Sequence, residues 1–183
     1  MRFGSSMTIL SLVVAAACSG GLEGARATLP AIGSVAPAFS YARVDSGTLA
    51  SATLYGSPAV IALWSSTCSA SREALGAIAA LHTELAPRGV QVVLLADDES
   101  RGALQAMQPA FGSLPVAHAA GALKESFSQT RLGPWRRDLG LPAFLVVDSV
   151  SLVRYRQVGI EQSLPDRLVE LRRQVEIVLR EQR

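Results

Sequence analysis

Cysteine is nearly missing from this sequence of 183 residues, which holds two, Cys18 and Cys68. That number excludes a disulfide-stapled scaffold. Histidine is as scarce: His82 and His118 have no partner at metal-ligand spacing, so no metal centre is expected. Charge is also thin, at 17% with a net value of +2, which removes the field that nucleic acid or an anionic surface would require. No apolar run is long enough to cross a bilayer as an ordinary helix, and no internal repeat is present. What remains is a chain 49% hydrophobic, of a length suited to one domain with a substantial core.

Residues 1–17 read as a signal peptide rather than part of the fold. Arg2 supplies the positive start and Met7 to Ala17 the apolar stretch. Two exits are open. Ala15-Ala16-Ala17 before Cys18 is similar to a bacterial lipobox, which would make Cys18 the lipidated N-terminus and residues 18–31 a flexible tether containing Ser19-Gly20-Gly21. Ala25-Arg26-Ala27 is a small-x-small site that would instead release a soluble domain from Thr28. Both place the domain, residues 32–183, outside the cytoplasm: periplasmic, and membrane-anchored if Cys18 is acylated. In either form Cys68 is a solitary thiol, in a compartment where thiols usually pair.

The element pattern is α/β. Phe39 to Val44 and Thr48 to Leu54 read as short strands around the turn Asp45-Ser46-Gly47. Residues 59–64 form an apolar run suited to a strand covered on both faces. Ser69 to Ala86 repeats apolar residues at helical spacing, through Ala70, Ala74, Ile78, Leu81 and Leu85, before Pro87 and Gly89 end it. A second buried strand, 90–96, leads to Asp97-Asp98-Glu99, read as a solvated loop, with Ser100 capping a helix from Arg101 to about Gln108. Leu114 to Ala117 is a short strand with His118 in the loop beyond, and Leu123 to Phe127 a brief helix. Gly140-Leu141-Pro142 delivers a buried strand over 143–147, with the proline where no ladder donor is needed. Leu152 to Val158 alternates like an edge strand. The last helix starts near Ser163 on a stripe of Leu164, Leu168, Leu171, Val175 and Leu179, its arginines and glutamates read as a solvated face. Trp135, flanked by Arg131, Arg136 and Arg137, either lines a groove or tucks under an exposed loop.

The rest is organised around Trp64-Ser65-Ser66-Thr67-Cys68-Ser69-Ala70-Ser71. A strand emptying into a helix through one cysteine puts the sulfur at the helix N-terminus, where unpaired N–H groups and the helix dipole favour thiolate.

Three features in order make the chain resemble the thioredoxin-like superfamily, specifically exported TlpA/ResA-type thiol–disulfide oxidoreductases, with a more distant likeness to peroxiredoxins. Gly33-Ser34-Val35-Ala36-Pro37-Ala38-Phe39 resembles that family's G-x-x-A-P-x-F opening. Trp64 to Arg72 falls on its W-x-x-W-C-x-x-C-R active site. Gly140-Leu141-Pro142 before Phe144-Leu145-Val146-Val147-Asp148 resembles its cis-proline turn and following strand. The resemblance runs from residue 32 to about 181. It implies a central mixed β-sheet flanked by helices with an N-terminal β-hairpin extension, and it implies catalytic roles for Cys68, Ser71 and Pro142. The substrate groove it implies is formed by Trp64, Thr67, Ser69, Ala70 and Leu141; Trp135 joins it if its loop lines the groove. No cofactor is implied.

The sequence departs from that pattern at the second cysteine, which is Ser71, at the preceding tryptophan, which is Thr67, and at Ala70, where the motif core has proline. Serine cannot resolve a mixed disulfide, although its hydroxyl could donate to a Cys68 thiolate. Four functions follow. The first is a monothiol protein forming mixed disulfides with a protein or small-thiol partner, and the second a redox-silent binding module. The third is a one-cysteine peroxidase, with Ser65 three residues before Cys68 but Ile61 at the motif's proline. The fourth, a copper carrier, would want a second cysteine and a dedicated histidine.

Overall fold

The computed structural model describes residues 29–127, 140–158 and 163–182. Seven strands form one sheet in the order β2-β1-β5-β4-β3-β6-β7. They are β1 (Ser40–Arg43), β2 (Thr48–Ala50), β3 (Ala59–Trp64), β4 (Gln91–Ala96), β5 (Val116–His118), β6 (Ala143–Val147) and β7 (Val153–Gln157). β3, β4 and β5 run parallel, while the β1–β2 hairpin, β6 and β7 join antiparallel. This is the mixed sheet with an N-terminal hairpin that the resemblance implies. Five α-helices among the described residues accompany it: α1 (Ser69–Leu85), α2 (Arg101–Ala106), α3 (Gln108–Phe111), α4 (Leu123–Phe127) and α5 (Leu164–Glu181). Among the described residues no helix is long and apolar enough to cross a membrane.

The unbroken apolar run of β3 divides by strand alternation between two cores. Val60, Ala62 and Trp64 join the cluster that holds Ile78, Leu81 and Leu85 of α1 and Leu168, Leu171 and Val175 of α5. Ala59, Ile61 and Leu63 join the cluster of Phe39, Leu54, Leu123 and Phe127 on the other face. β3 pairs with β4 from Ala59↔Gln91 to Trp64↔Ala96, and with β6 through Leu63↔Ala143. The C-terminal ends of β3 and β4 and the start of β6 therefore meet at one rim of the sheet. Arg172–Glu84 and Arg88–Glu176 ion pairs tie α5 to α1 and the turn after it.

Four expectations are corrected. Residues 51–54 form a 3-10 turn instead of prolonging β2. Its polar side chains bond to backbone there: Ser51 Oγ accepts from the Phe39 N–H and Thr53 Oγ1 donates to the Ala50 carbonyl, displacing ladder bonds. The helix after Ser100 ends at Ala106, and Pro109, tolerated in a first turn, begins another. His118 is the last residue of β5, not a loop residue. Asp98 is not solvated but 4% exposed.

Candidate functional site

The rim where β3 empties into α1 carries the cysteine. Ser65, Ser66 and Thr67 make the turn, and Cys68 is the N-cap of α1 with extended backbone angles, φ −90° and ψ 122°. Ser65 organises the turn locally. Its carbonyl accepts from the Cys68 N–H at 3.3 Å, and its hydroxyl accepts from the Thr67 N–H at 3.3 Å.

Two charged residues pin the turn from outside. The Asp98 carboxylate, just past β4, accepts from the Ser66 N–H at 3.0 and 3.1 Å and also from the Ser66 hydroxyl. Arg72, one turn into α1, donates to the Ser66 carbonyl at 2.8 Å. A ring nitrogen of His118 lies 2.6 Å from the Asp98 carbonyl oxygen and steadies the backbone that presents this carboxylate. Because the Ser66 N–H bonds to a charged acceptor, Asp98→Ala is expected to destabilise the fold by about 1–3 kcal/mol. Thermal melting measures that loss. Faster Cys68 alkylation in the same variant reports the loosened turn.

Cys68 is 5% exposed, and its thiol donates to the Leu141 carbonyl at 3.5 Å. The Leu141–Pro142 peptide is cis, and Pro142 is buried. Thr67 and Ser69 are exposed beside the cysteine, and Ala70 and Leu141 are half-buried. Among the described residues, no three His, Cys, Asp or Glu side chains stand together as a metal would need.

Two expected site residues have other places. Trp64 cannot line a groove, since it is 0% exposed: its indole N–H donates inward to the Ser71 carbonyl, and its ring meets Phe111 edge-on. Ser71 is also fully buried, and its hydroxyl has no hydrogen-bond partner, so the anticipated bond to Cys68 is not made. Trp135 and Cys18 lie outside the described residues.

Sequence reasoning missed Asp98 and Arg167. Parallel pairing of Trp64 with Ala96 places Asp98 next to the turn after Trp64, so adjacency of the two buried strands was the available signal. Arg167 of α5 is 2% exposed and donates to the Pro142 carbonyl at 2.7 Å, with its guanidinium 5.2 Å from the Phe144 ring centroid. Burial pushes its pKa below the ordinary arginine value. The signal lay in the stripe itself: 167 is three past Leu164 and four before Leu171, within the apolar face.

The model of the AhpC/TSA family matches residues 32–156. Among solved structures, a thiol:disulfide interchange protein of the thioredoxin family from Chlorobium tepidum TLS superposes with a TM-score of 0.62 at 23% identity, over 82% of this chain and 99% of that one. The thioredoxin domain of a thiol-disulfide oxidoreductase from Bacteroides vulgatus gives 0.61 at 15% identity, covering 78% and 97% of the two chains. A secreted Mycobacterium tuberculosis disulfide oxidoreductase homologous to E. coli DsbE gives 0.56 at 16%, covering 73% and 93%. No curated protein matches the sequence. The fold is thioredoxin-like.

Proposed function

The chain belongs to the AhpC/TSA family, and from that premise we propose that it performs thiol–disulfide exchange through Cys68 alone. The observation that carries this reading is the position of the sulfur, at the N-cap of α1 and against the carbonyl that precedes cis-Pro142. Exposed helix N–H groups and the dipole favour its thiolate. The thiolate attacks one sulfur of a partner disulfide, so that a Cys68–partner bond forms while the other sulfur leaves as a thiolate and takes a proton. Ser71 stands where a resolving thiol would be needed. A second, external thiolate therefore attacks the partner's sulfur, joins it in a new disulfide and returns Cys68 as thiolate. The net change is disulfide interchange, and no cofactor takes part. The partner is a protein or a small thiol, held against Thr67, Ser69, Ala70 and Leu141.

The test is trapping by glutathione disulfide in the full chain carrying Cys18→Ser, which leaves Cys68 as its one cysteine. One glutathione per chain by mass is expected from the folded protein, and none after Cys68→Ser. An adduct that appears only on unfolding would overturn exchange and leave a binding module. Rapid stoichiometric sulfenic acid with peroxide, without a glutathione adduct, would instead assign a peroxidase.

The address of the protein is part of the same proposal. Residues 1–17 act as a leader, Cys18 carries lipid, 18–31 tether the chain, and the domain of residues 32–183 works in the periplasm. The Cys18→Ser variant is then expected to move from the membrane fraction to the soluble fraction, and an unchanged distribution would rule out the anchor.

A further inference from the structure

Five arginines in the described residues end on carboxylates: Arg43 on Asp45, Arg88 on Glu176, Arg154 on Asp148 and Glu181, Arg172 on Glu84 and Arg173 on Glu170. All of them are partly or largely exposed, so their charges are already solvated. Arg167 is the reverse case. It is the buried one, at 2% exposure, and among the described residues no carboxylate pairs with it. One Nη donates to the Pro142 carbonyl, while its Nε has no hydrogen-bond partner. A buried cation without an anion is unfavourable unless something nearby becomes negative.

Two groups near it can do so: the Tyr155 phenol of β7, which interacts with it electrostatically but which burial keeps protonated to higher pH, and, through the bonding network, the Cys68 thiol. The carbonyl on one side of the proline accepts from Arg167, and the preceding carbonyl, of Leu141, accepts from the Cys68 thiol. We infer that Arg167 is a positioning residue for the Cys68 thiolate, holding the Leu141–Pro142 segment against the sulfur and supplying the positive charge that deprotonation calls for. This deepens the proposed exchange and rests on it.

The protonated thiol is content with the Leu141 carbonyl, an acceptor. Once the proton leaves, that carbonyl faces a negative sulfur, and the balance passes to the positive groups around it. The α1 N–H groups are one source. Arg167, in the low-dielectric interior where charge acts over longer range, is another. Among the described residues, Asp97 follows β4 with one buried carboxylate oxygen and Tyr155 faces Arg167 from β7, while the other charged and titratable groups about the cysteine are engaged or turned outward. Arg72 bonds to the Ser66 carbonyl, Asp98 accepts from Ser66, His118 meets the Asp98 carbonyl, and Glu73 is exposed.

The measurement is the pH profile of Cys68 alkylation in the full chain carrying Cys18→Ser. Arg167→Gln keeps a donor for the Pro142 carbonyl and removes the charge, whereas Arg167→Lys keeps the charge. The Gln variant is expected to raise the apparent pKa by about one unit, slowing alkylation about tenfold below that pKa, and the Lys variant to stay within about 0.3 of the parent. Arg167→Met provides a second uncharged side chain if the Gln variant does not fold. A Gln or Met variant with the parent profile overturns the inference. Equal shifts in the Lys and uncharged variants also overturn it, because they assign the effect to a displaced loop rather than to charge. Glutathione trapping separates the two proposals. A parent chain that forms the adduct while the uncharged variants keep its profile loses Arg167's role but retains exchange; a chain that forms no adduct loses exchange, and the alkylation profiles still decide Arg167.

Discussion

Ser71→Cys is expected to turn a sulfur that depends on an external thiol for its release into a dithiol that releases its own partner, taking insulin reduction by dithiothreitol from background to sustained catalysis. The geometry favours the gain. Cys68 is the N-cap of α1, which makes Ser71 the third residue of the helix. An N-cap side chain naturally reaches the third helical position, the relation used in capping boxes. Helical neighbours three apart hold their Cβ atoms about 5–6 Å apart, and a disulfide needs about 3.5–4.5 Å. The extended backbone of Cys68 supplies the approach. The cost to the fold is small, because the Ser71 hydroxyl is buried with no partner and its loss leaves no donor behind. Ser71→Ala, the control, is expected to be neutral or to stabilise by up to about 1 kcal/mol. The idea fails if the Ser71→Cys chain, folded and treated with oxidant, forms no internal disulfide and reduces no insulin. Such a result would mean that the surroundings of the sulfur no longer accept a partner.

Trp64→Ala is expected to produce the largest loss of stability, about 3–5 kcal/mol from the vacated core volume and about 1 kcal/mol more from the hydrogen bond. Against the roughly 5–15 kcal/mol that holds a domain together, most of the margin goes. Trp64 closes β3, packs edge-on against Phe111 of α3 and bonds to the Ser71 carbonyl in the first turn of α1, so one side chain joins strand, helix and turn. Trp64→Phe retains the aromatic body and gives up the bond, and should lose about 1–2 kcal/mol. Urea unfolding measures both variants. An Ala variant within about 1 kcal/mol of the parent would contradict this account of the core.

The strands and long helices were readable because their causes are local. Six apolar residues from Ala59 to Trp64 have no stable place outside a covered strand, and the three- and four-residue steps from Ala74 to Leu85 suit only a helix face. Cys68 at a helix start and Pro142 before a strand were equally visible in order and spacing. What escaped depended on neighbours distant in sequence. Asp98 looked solvated among three acids until parallel pairing brought it beneath Ser66. Arg167 was counted with the charged face of α5 although its position belonged to the apolar one. The family resemblance implies a groove role for Trp64, whereas its place at the end of β3 turns it into the core against Phe111. Residues 51–54 had strand composition, and side-chain bonds from Ser51 and Thr53 decided otherwise.

The β1–β2 hairpin has a role apart from chemistry. β5 is three residues long and pairs with β4 on one side; on the other, β1 covers it through Ala42↔His118 and Arg43↔Ala117. Without the hairpin, the parallel core would end on a bare strand whose backbone donors and acceptors could template pairing with another chain. The hairpin moves that frontier outward to β2, itself three residues long, and too short to recruit a neighbour effectively. The same pairing is long-range: β1 lies far before β5 in sequence, so the edge of β5 stays uncovered in any chain whose N-terminal hairpin is displaced or cut away.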